Sequence, residues 1–270
     1  MKKVKRLNQK DSQMRTGIKI AVSIALLSSL SFAGSQFAMS DADRAMYAEM
    51  LEDNPADLMV ANGEELLAEY CGGEEGLAKF LNVSEEAMPA YLAGFPRYLP
   101  EFKQVVAIDQ VLQGLMHKNG HKPFKLKSSD MFDMSAFAKS LANGEKSQID
   151  VNVNQHMKDA YVLGEKTFNQ KRGGRGLACL SCHSSDIIGG VLRTQPLPDL
   201  SNKGVAVAAT WPAYRMTKSS LRTLQRRFQG CMKNALLKVI PIGSPEMVAL
   251  EVYLTKQAEG TEIAIPGLKR

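Results

Sequence analysis

The residues Cys179-Leu180-Ser181-Cys182-His183 have the types and spacing that attach a c-type haem. In Cys-x-x-Cys-His the two thiols add to the porphyrin vinyl groups, and the adjoining imidazole becomes the proximal ligand of the iron. Other readings of the same letters compete. Half a zinc site would need two further ligands at matching spacing, and only Cys71, Cys231 and three scattered histidines remain. A redox dithiol would want a thioredoxin-like βαβ setting, which the sequence lacks, and a purely structural pair leaves His183 without a role. The expectation is one haem c per chain, held by Cys179 and Cys182, with His183 on the iron.

A further sulfur, Cys231, closes the run Leu221-Arg222-Thr223-Leu224-Gln225-Arg226-Arg227-Phe228-Gln229-Gly230-Cys231, which reads as a basic helix. Arg227 then lies one turn before Cys231, at i−4, on the same face. A guanidinium there favours the thiolate and can fork two hydrogen bonds to an oxyanion. Plainer possibilities stand beside this one. Arg222, Arg226 and Arg227 could solvate an exposed face, and Cys231 could be a buried thiol or the disulfide partner of Cys71. The distal face of a haem held by His183 has four candidate ligands, Met216, Met232, Met247 and Cys231. A methionine would suit an electron carrier, because thioether ligation raises the potential.

The elements that must position these groups occur twice. Phe95-Pro96-Arg97-Tyr98 matches Trp211-Pro212-Ala213-Tyr214, and Gln113-Gly114-Leu115-Met116 matches Gln229-Gly230-Cys231-Met232. Ser128-Ser129-Asp130-Met131 matches Ser244-Pro245-Glu246-Met247, and Ala142-Asn143-Gly144 matches Ala258-Glu259-Gly260. All four pairs share one ungapped offset of 116 residues. Each unit reads as helical. Ser244-Pro245-Glu246 is a cap, a proline at the first helical position and an acid in the first turn, and Gly260 closes the segment. Leading helices are expected around Val60 to Tyr70 and Met157 to Gln170, with the polar stretch 145–156 as the connection. The expected fold is mainly α: two tandem cytochrome c-like domains, 41–145 degenerate and haem-free, 157–270 haem-binding. In the first unit the Cys-x-x-Cys-His is missing, Leu115 replaces Cys231 and Val111 replaces Arg227. Met247 and Met232 have haem-free counterparts, Met131 and Met116, whereas Cys231 has none. That correlation favours Cys231 as distal ligand and leaves Met247 to core packing.

Lys2, Lys3, Lys5, Arg6, Lys10, Arg15 and Lys19 precede an apolar run from Ile20 to Phe32, and Ser31-Phe32-Ala33 is a small-x-small cleavage site. This is a secretory signal peptide over 1–33, its run too short for the roughly 20 residues a membrane span needs. It carries seven of the 34 Lys and Arg and one, Asp11, of the 28 acids. Without it the positive and negative charges balance, so the net +6 argues for no nucleic-acid partner. The expected location is the periplasm.

On Asn54-Pro55-Ala56-Asp57, Phe95-Pro96-Arg97-Tyr98, the haem motif, Arg226-Arg227-Phe228-Gln229-Gly230-Cys231 and Ser244-Pro245-Glu246 leading to Tyr253-Leu254, the chain resembles the SoxA family. The resemblance implies an L-cysteine S-thiosulfotransferase that oxidatively joins thiosulfate to a cysteine of the carrier SoxY (in SoxYZ) and passes two electrons to cytochrome c. It implies a heterodimer with the cytochrome SoxX. It also implies that Cys231 is axial ligand and active-site residue, able to carry a persulfide, and that Arg227 binds substrate. Relatives of this kind carry a second haem or a disulfide in the first half. Here Cys71 stands alone, free or bonded to a partner chain, and Leu115 occupies the place of a second cysteine. The competing functions are an electron-transfer cytochrome without sulfur chemistry of its own, and a haem sensor that uses Cys231 only as ligand.

Overall fold

The computed structural model describes residues 41–187, 191–192 and 195–269; the signal peptide expected over 1–33 lies outside the described residues. Contacts divide the chain into Met1–Arg44 and Ala45–Arg270, and the second unit is the one described below. No helix among the described residues is long and apolar enough to cross a membrane.

The fold is mainly helical. After α1 (Asp41–Glu52) come α2 (Asp57–Cys71), α3 (Gly73–Leu81), α4 (Met88–Leu92), the strands β1 (Arg97–Leu99) and β2 (Gln104–Val106), α5 (Ile108–Lys118) and α6 (Ser129–Ser140). The second set is α7 (Gln155–Asn169), the short strands β3 (Val191–Leu192), β4 (Gln195–Pro196), β5 (Ala213–Arg215) and β6 (Ser220–Arg222), α8 (Leu224–Asn234), α9 (Pro245–Gln257) and the last strand β7 (Gly267–Lys269). The offset of 116 carries β1 onto β5, β2 onto β6, α5 onto α8 and the start of α6 onto that of α9. Both hairpins are antiparallel, and cis peptide bonds precede Pro96 and Pro212 alike.

Local chemistry sets the boundaries. Side chains of Ser128, Asn154, Thr223 and Ser244 each accept a hydrogen bond from the backbone amide three residues on, starting α6, α7, α8 and α9. Gly144 and Gly260 take φ of +86° and +80° past the ends of α6 and α9, conformations a Cβ would resist. The helix expected from Leu221 begins only at Leu224: Leu221 and Arg222 belong to β6, and Thr223 is its cap. The alternation of Leu221 inward and Arg222 outward is a strand pattern that the basic run conceals.

In each set the leading helix crosses the closing helix backbone to backbone. A Cβ on Gly63 would strike the Asp133 carbonyl, and one on Gly164 would strike the carbonyl of Ala249. Around the first crossing, Leu67, Cys71, Leu77, Met88, Leu112, Leu115, Met116 and Met131 form one core. Around the second, Phe168, Trp211, Phe228, Met232, Met247, Leu250 and Tyr253 form another. Cys71 is 1% exposed and unpaired by any disulfide, and burial pushes its thiol up to about 12. It is a protonated core residue, with no surface to offer a partner chain.

The two sets are interlocked. Leu221 of β6 packs with Phe132 and Ala136 of α6, while Tyr98 of β1 and Val105 of β2 pack with Met157 and Val252 of α7 and α9. The stretch 145–156, polar in composition, is drawn in as well: Ile149 and Val151 are buried, and the amides of Ser147 and Gln148 donate to Thr261 and Ala93. It connects, but as packed structure.

Two carboxyls meet at this junction. Glu251 accepts from Gln225 Nε2 at 2.8 Å, and beside it Asp109 is 3% exposed, its Oδ2 without a hydrogen-bond partner among the described residues. Burial first, then the Glu251 charge, push Asp109 up to about 7, against smaller opposing effects of its own backbone and Lys139. An unfolded chain releases that proton near pH 4, so the folded state holds the extra proton in between. Stability is then full below about pH 4 and is lost as the pH rises through 7. Urea titrations of the holoprotein should show lower stability at pH 8 than at pH 5.5. In Asp109→Asn that difference should shrink by on the order of 1–3 kcal/mol, the scale of an unsatisfied buried polar group.

Candidate functional site

The haem motif is a chain of turns held on three sides. Phe168, at the end of α7, accepts from the amide of Leu180 at 3.2 Å, and the amide of His183 reaches back to the Cys179 carbonyl at 3.1 Å. Ser181 Oγ accepts from the amide of Ala178 at 3.0 Å. Ahead of the motif, Arg172 spans 2.7 Å to Glu246 in the first turn of α9, with only 10% of the arginine side chain exposed. Gly173 lets the loop lie directly on the backbone of Leu236 to Lys238; a side chain there would collide.

His183 is oriented as a ligand must be. Its Nδ1 lies 2.8 Å from the Pro198 carbonyl, and since a carbonyl only accepts, Nδ1 carries the proton and donates it. The lone pair is then on Nε2, facing away from that bond. Leu200 donates its amide to the His183 carbonyl at 3.1 Å, and Asp199 is fixed by Ser201 and Asn202. Burial, opposed by the Pro198 bond and reinforced by Arg227, lowers the pKa of His183 and favours the neutral imidazole. Cys179 and Cys182 are half-buried on the edge of the second core. A backbone-anchored histidine behind two thiols of one turn fits haem c.

Cys231 is carried to the same place by α8. It acts electrostatically on Cys179 and is acted on by Cys182, so the three sulfurs lie within electrostatic reach of one another. Arg227 runs along the helix toward it: its Nη1 passes 4.0 Å from where a Cβ of Gly230 would stand. The net pKa of Cys231 is nevertheless raised. Burial outweighs the guanidinia of Arg227 and Arg215, which pull it down, while Cys182 adds to the rise. Spacing alone indicates the direction of the arginine effect and not the larger desolvation against it.

The other arginines of the run go elsewhere. Arg222 lies over the Phe132 ring at 5.1 Å, toward the first set, with Arg226 as its charged neighbour. Among the methionines, Met232 and Met247 are sealed in the second core, as Met116 and Met131 are in the first, and Met216 sits 37% exposed on a short turn. In the haem-free register, Val111 and Leu115 are buried in hydrocarbon where α8 carries Arg227 and Cys231. Cys71 and Cys231 are both free thiols. Among the described residues no three His, Cys, Asp or Glu side chains gather as a metal cluster. The sequence reading passed over Arg215, at the end of β5, which acts on Cys231 and Arg227; only the strand register places it there.

A family model for the SoxA/TsdA cytochrome c domain matches residues 163–263, which contain the haem motif, Arg227 and Cys231. The L-cysteine S-thiosulfotransferase subunit SoxA of Hydrogenophilus thermoluteolus is 30% identical, over 93% of this chain and 99% of its own. The subunits of that name from Chlorobaculum thiosulfatiphilum and Allochromatium vinosum are 27% and 25% identical, each over 88% of this chain and over 80% and 82% of theirs. The crystal structure of SoxXA from P. pantotrophus superposes with a TM-score of 0.70 at 19% identity, over 87% of this chain and 86% of that one. The fold is therefore cytochrome c-like, haem c is its cofactor, and the chain belongs to the SoxA family.

Proposed function

We propose that this chain is an L-cysteine S-thiosulfotransferase subunit of thiosulfate oxidation, working in the periplasm as a heterodimer with SoxX. The observation that carries the reading is the convergence of Cys231, Arg227 and the Cys179–His183 motif on one edge of one core. The chain is organised as two tandem cytochrome c-like domains, 41–145 haem-free and 157–270 holding one haem c. Cys179 and Cys182 would hold the haem covalently, and His183 and Cys231 would ligate its iron. The export signal expected over 1–33 supports the location, and the structural likeness to SoxXA supports the partner.

Arg227 holds thiosulfate by its sulfonate oxygens, leaving the outer sulfur toward Cys231. The Cys231 thiolate and thiosulfate form an S–S bond, with two electrons released from the pair. Haem c, when bound, would supply a one-electron carrier beside that sulfur; the two electrons end on the cytochrome c acceptor. The thiolate of the SoxY cysteine then attacks the outer sulfur of the adduct, taking the thiosulfate group and returning Cys231 as thiolate. Overall one thiol S–H bond is lost, one S–S bond is made, and a proton goes to solvent.

Mass spectrometry of the exported protein should find one haem addition per chain; two, or none, would contradict the assignment of the first set as haem-free. Cys231→Ala should abolish conjugation of thiosulfate to SoxY while haem stays attached, and the loss of a thiolate ligand should change the ferric EPR spectrum. Retained turnover would reduce Cys231 to a ligand at most. Arg227→Ala should lower kcat/KM for thiosulfate roughly ten- to a hundred-fold, the worth of about 1.5–3 kcal/mol for a charge-assisted contact. Arg227→Lys should recover part of it, because an ammonium keeps the charge without the planar fork. Wild-type kinetics in Arg227→Ala would return this arginine to a solvated face.

A further inference from the structure

The strand β5 divides its side chains between the two sets of elements. Tyr214 packs against the cluster of Phe132, Ala136 and Leu221, on the side of the first set. Ala213 points the other way, into the core that holds Phe228, Met232 and Cys179. Side chains alternate along a strand, so Arg215 shares the face of Ala213 and reaches the edge where Cys231 sits. Burial acts first on its charge, and among the groups that act on it besides are Arg227, which repels it, and Cys231, which attracts it.

A third cation stands behind it. β5 pairs in parallel with β7, and the register sets Arg215 directly beside Lys269. Both are half-buried, and Lys269 is held below its ordinary pKa by burial and then by the Arg215 charge. Two guanidinia therefore face one thiol in partly desolvated surroundings, with an ammonium beside one of them. A dianion between the two guanidinia meets a positive charge from each.

We propose that Arg215, backed by Lys269, is a specificity-determining residue that closes a two-guanidinium clamp with Arg227 around a dianionic sulfur oxyanion at Cys231. The inference rests on the thiosulfate reading above and deepens it. One guanidinium from a helix and one from a strand approach the anion from different elements. A single Arg227 would hold a singly charged sulfonate nearly as well as thiosulfate; the second guanidinium is what makes the second negative charge count. Lys269 does not touch the anion in this arrangement. It raises the positive potential at Arg215 from the neighbouring strand.

The test is anion binding to the holoprotein by calorimetry at fixed ionic strength, with thiosulfate as the dianion and methanesulfonate as the monoanion. The wild type should prefer thiosulfate. Arg215→Met, which keeps the aliphatic packing, should weaken thiosulfate binding about tenfold, the lower range for a charge-assisted contact, and methanesulfonate less than threefold. Arg215→Lys should restore part of the preference, and Lys269→Met should weaken thiosulfate by a smaller factor with haem content unchanged. In turnover the Arg215→Met defect should lie in KM more than in kcat. Equal losses for both anions, or wild-type thiosulfate binding in Arg215→Met and Lys269→Met, would overturn the clamp. If Arg215→Met fails to load haem, Arg215→Lys and Lys269→Met decide the matter by the same ratio. Binding is read without turnover, so a Cys231→Ala protein that keeps its activity would sink the sulfur-transfer reading and leave this one to its own measurement.

Discussion

Everything at the candidate site hangs from one contact without side chains, the crossing of α7 and α9 at Gly164. With no Cβ there, the α7 backbone lies against the Ala249 carbonyl, closer than any other residue allows. That approach fixes Phe168 against Tyr253, ring centroids 5.2 Å apart, and Phe168 in turn holds the amide of Leu180. The first turn of α9 supplies Glu246 to Arg172, pinning the loop that delivers Cys179. The haem motif, lacking regular secondary structure of its own, inherits its position from two helices held at one separation. The same crossing at Gly63 in the first set builds a frame with no loop of that kind to hold.

The electrostatics of the site is a contest between burial and charge. Burial raises Cys179 and Cys231 and lowers His183, Arg215 and Lys269, in every case favouring the neutral form. Guanidinia pull against it at the two sulfurs. An edge built this way accepts an anion readily.

Much of this was legible in the letters. Cys-x-x-Cys-His names its chemistry by spacing, the caps at Ser128 and Ser244 announce their helices, and a constant offset of 116 exposed the repetition despite few identities. Other features escaped for identifiable reasons. Leu221 and Arg222 sit in a basic run whose charge masked a two-residue alternation. Ile149 and Val151 are too few to give 145–156 a period, yet packing between two bodies needs only such isolated apolar contacts. Arg215 enters the site through strand register, and Asp109 meets Glu251 across 142 positions of sequence; neither is a local pattern. Gly164 could have been noticed as a glycine inside a helix, where it costs stability unless a close neighbour requires it.

Cys71 bears on the traffic of sulfur through the molecule. A protein of thiosulfate oxidation meets reagents that scramble thiols. With Cys71 folded into hydrocarbon and kept protonated, and with Cys179 and Cys182 taken up as thioethers in the proposed reading, the chain shows its surroundings a single further sulfur, Cys231. Side reactions then have nowhere else to go. A sulfur atom arriving at this protein then has one address.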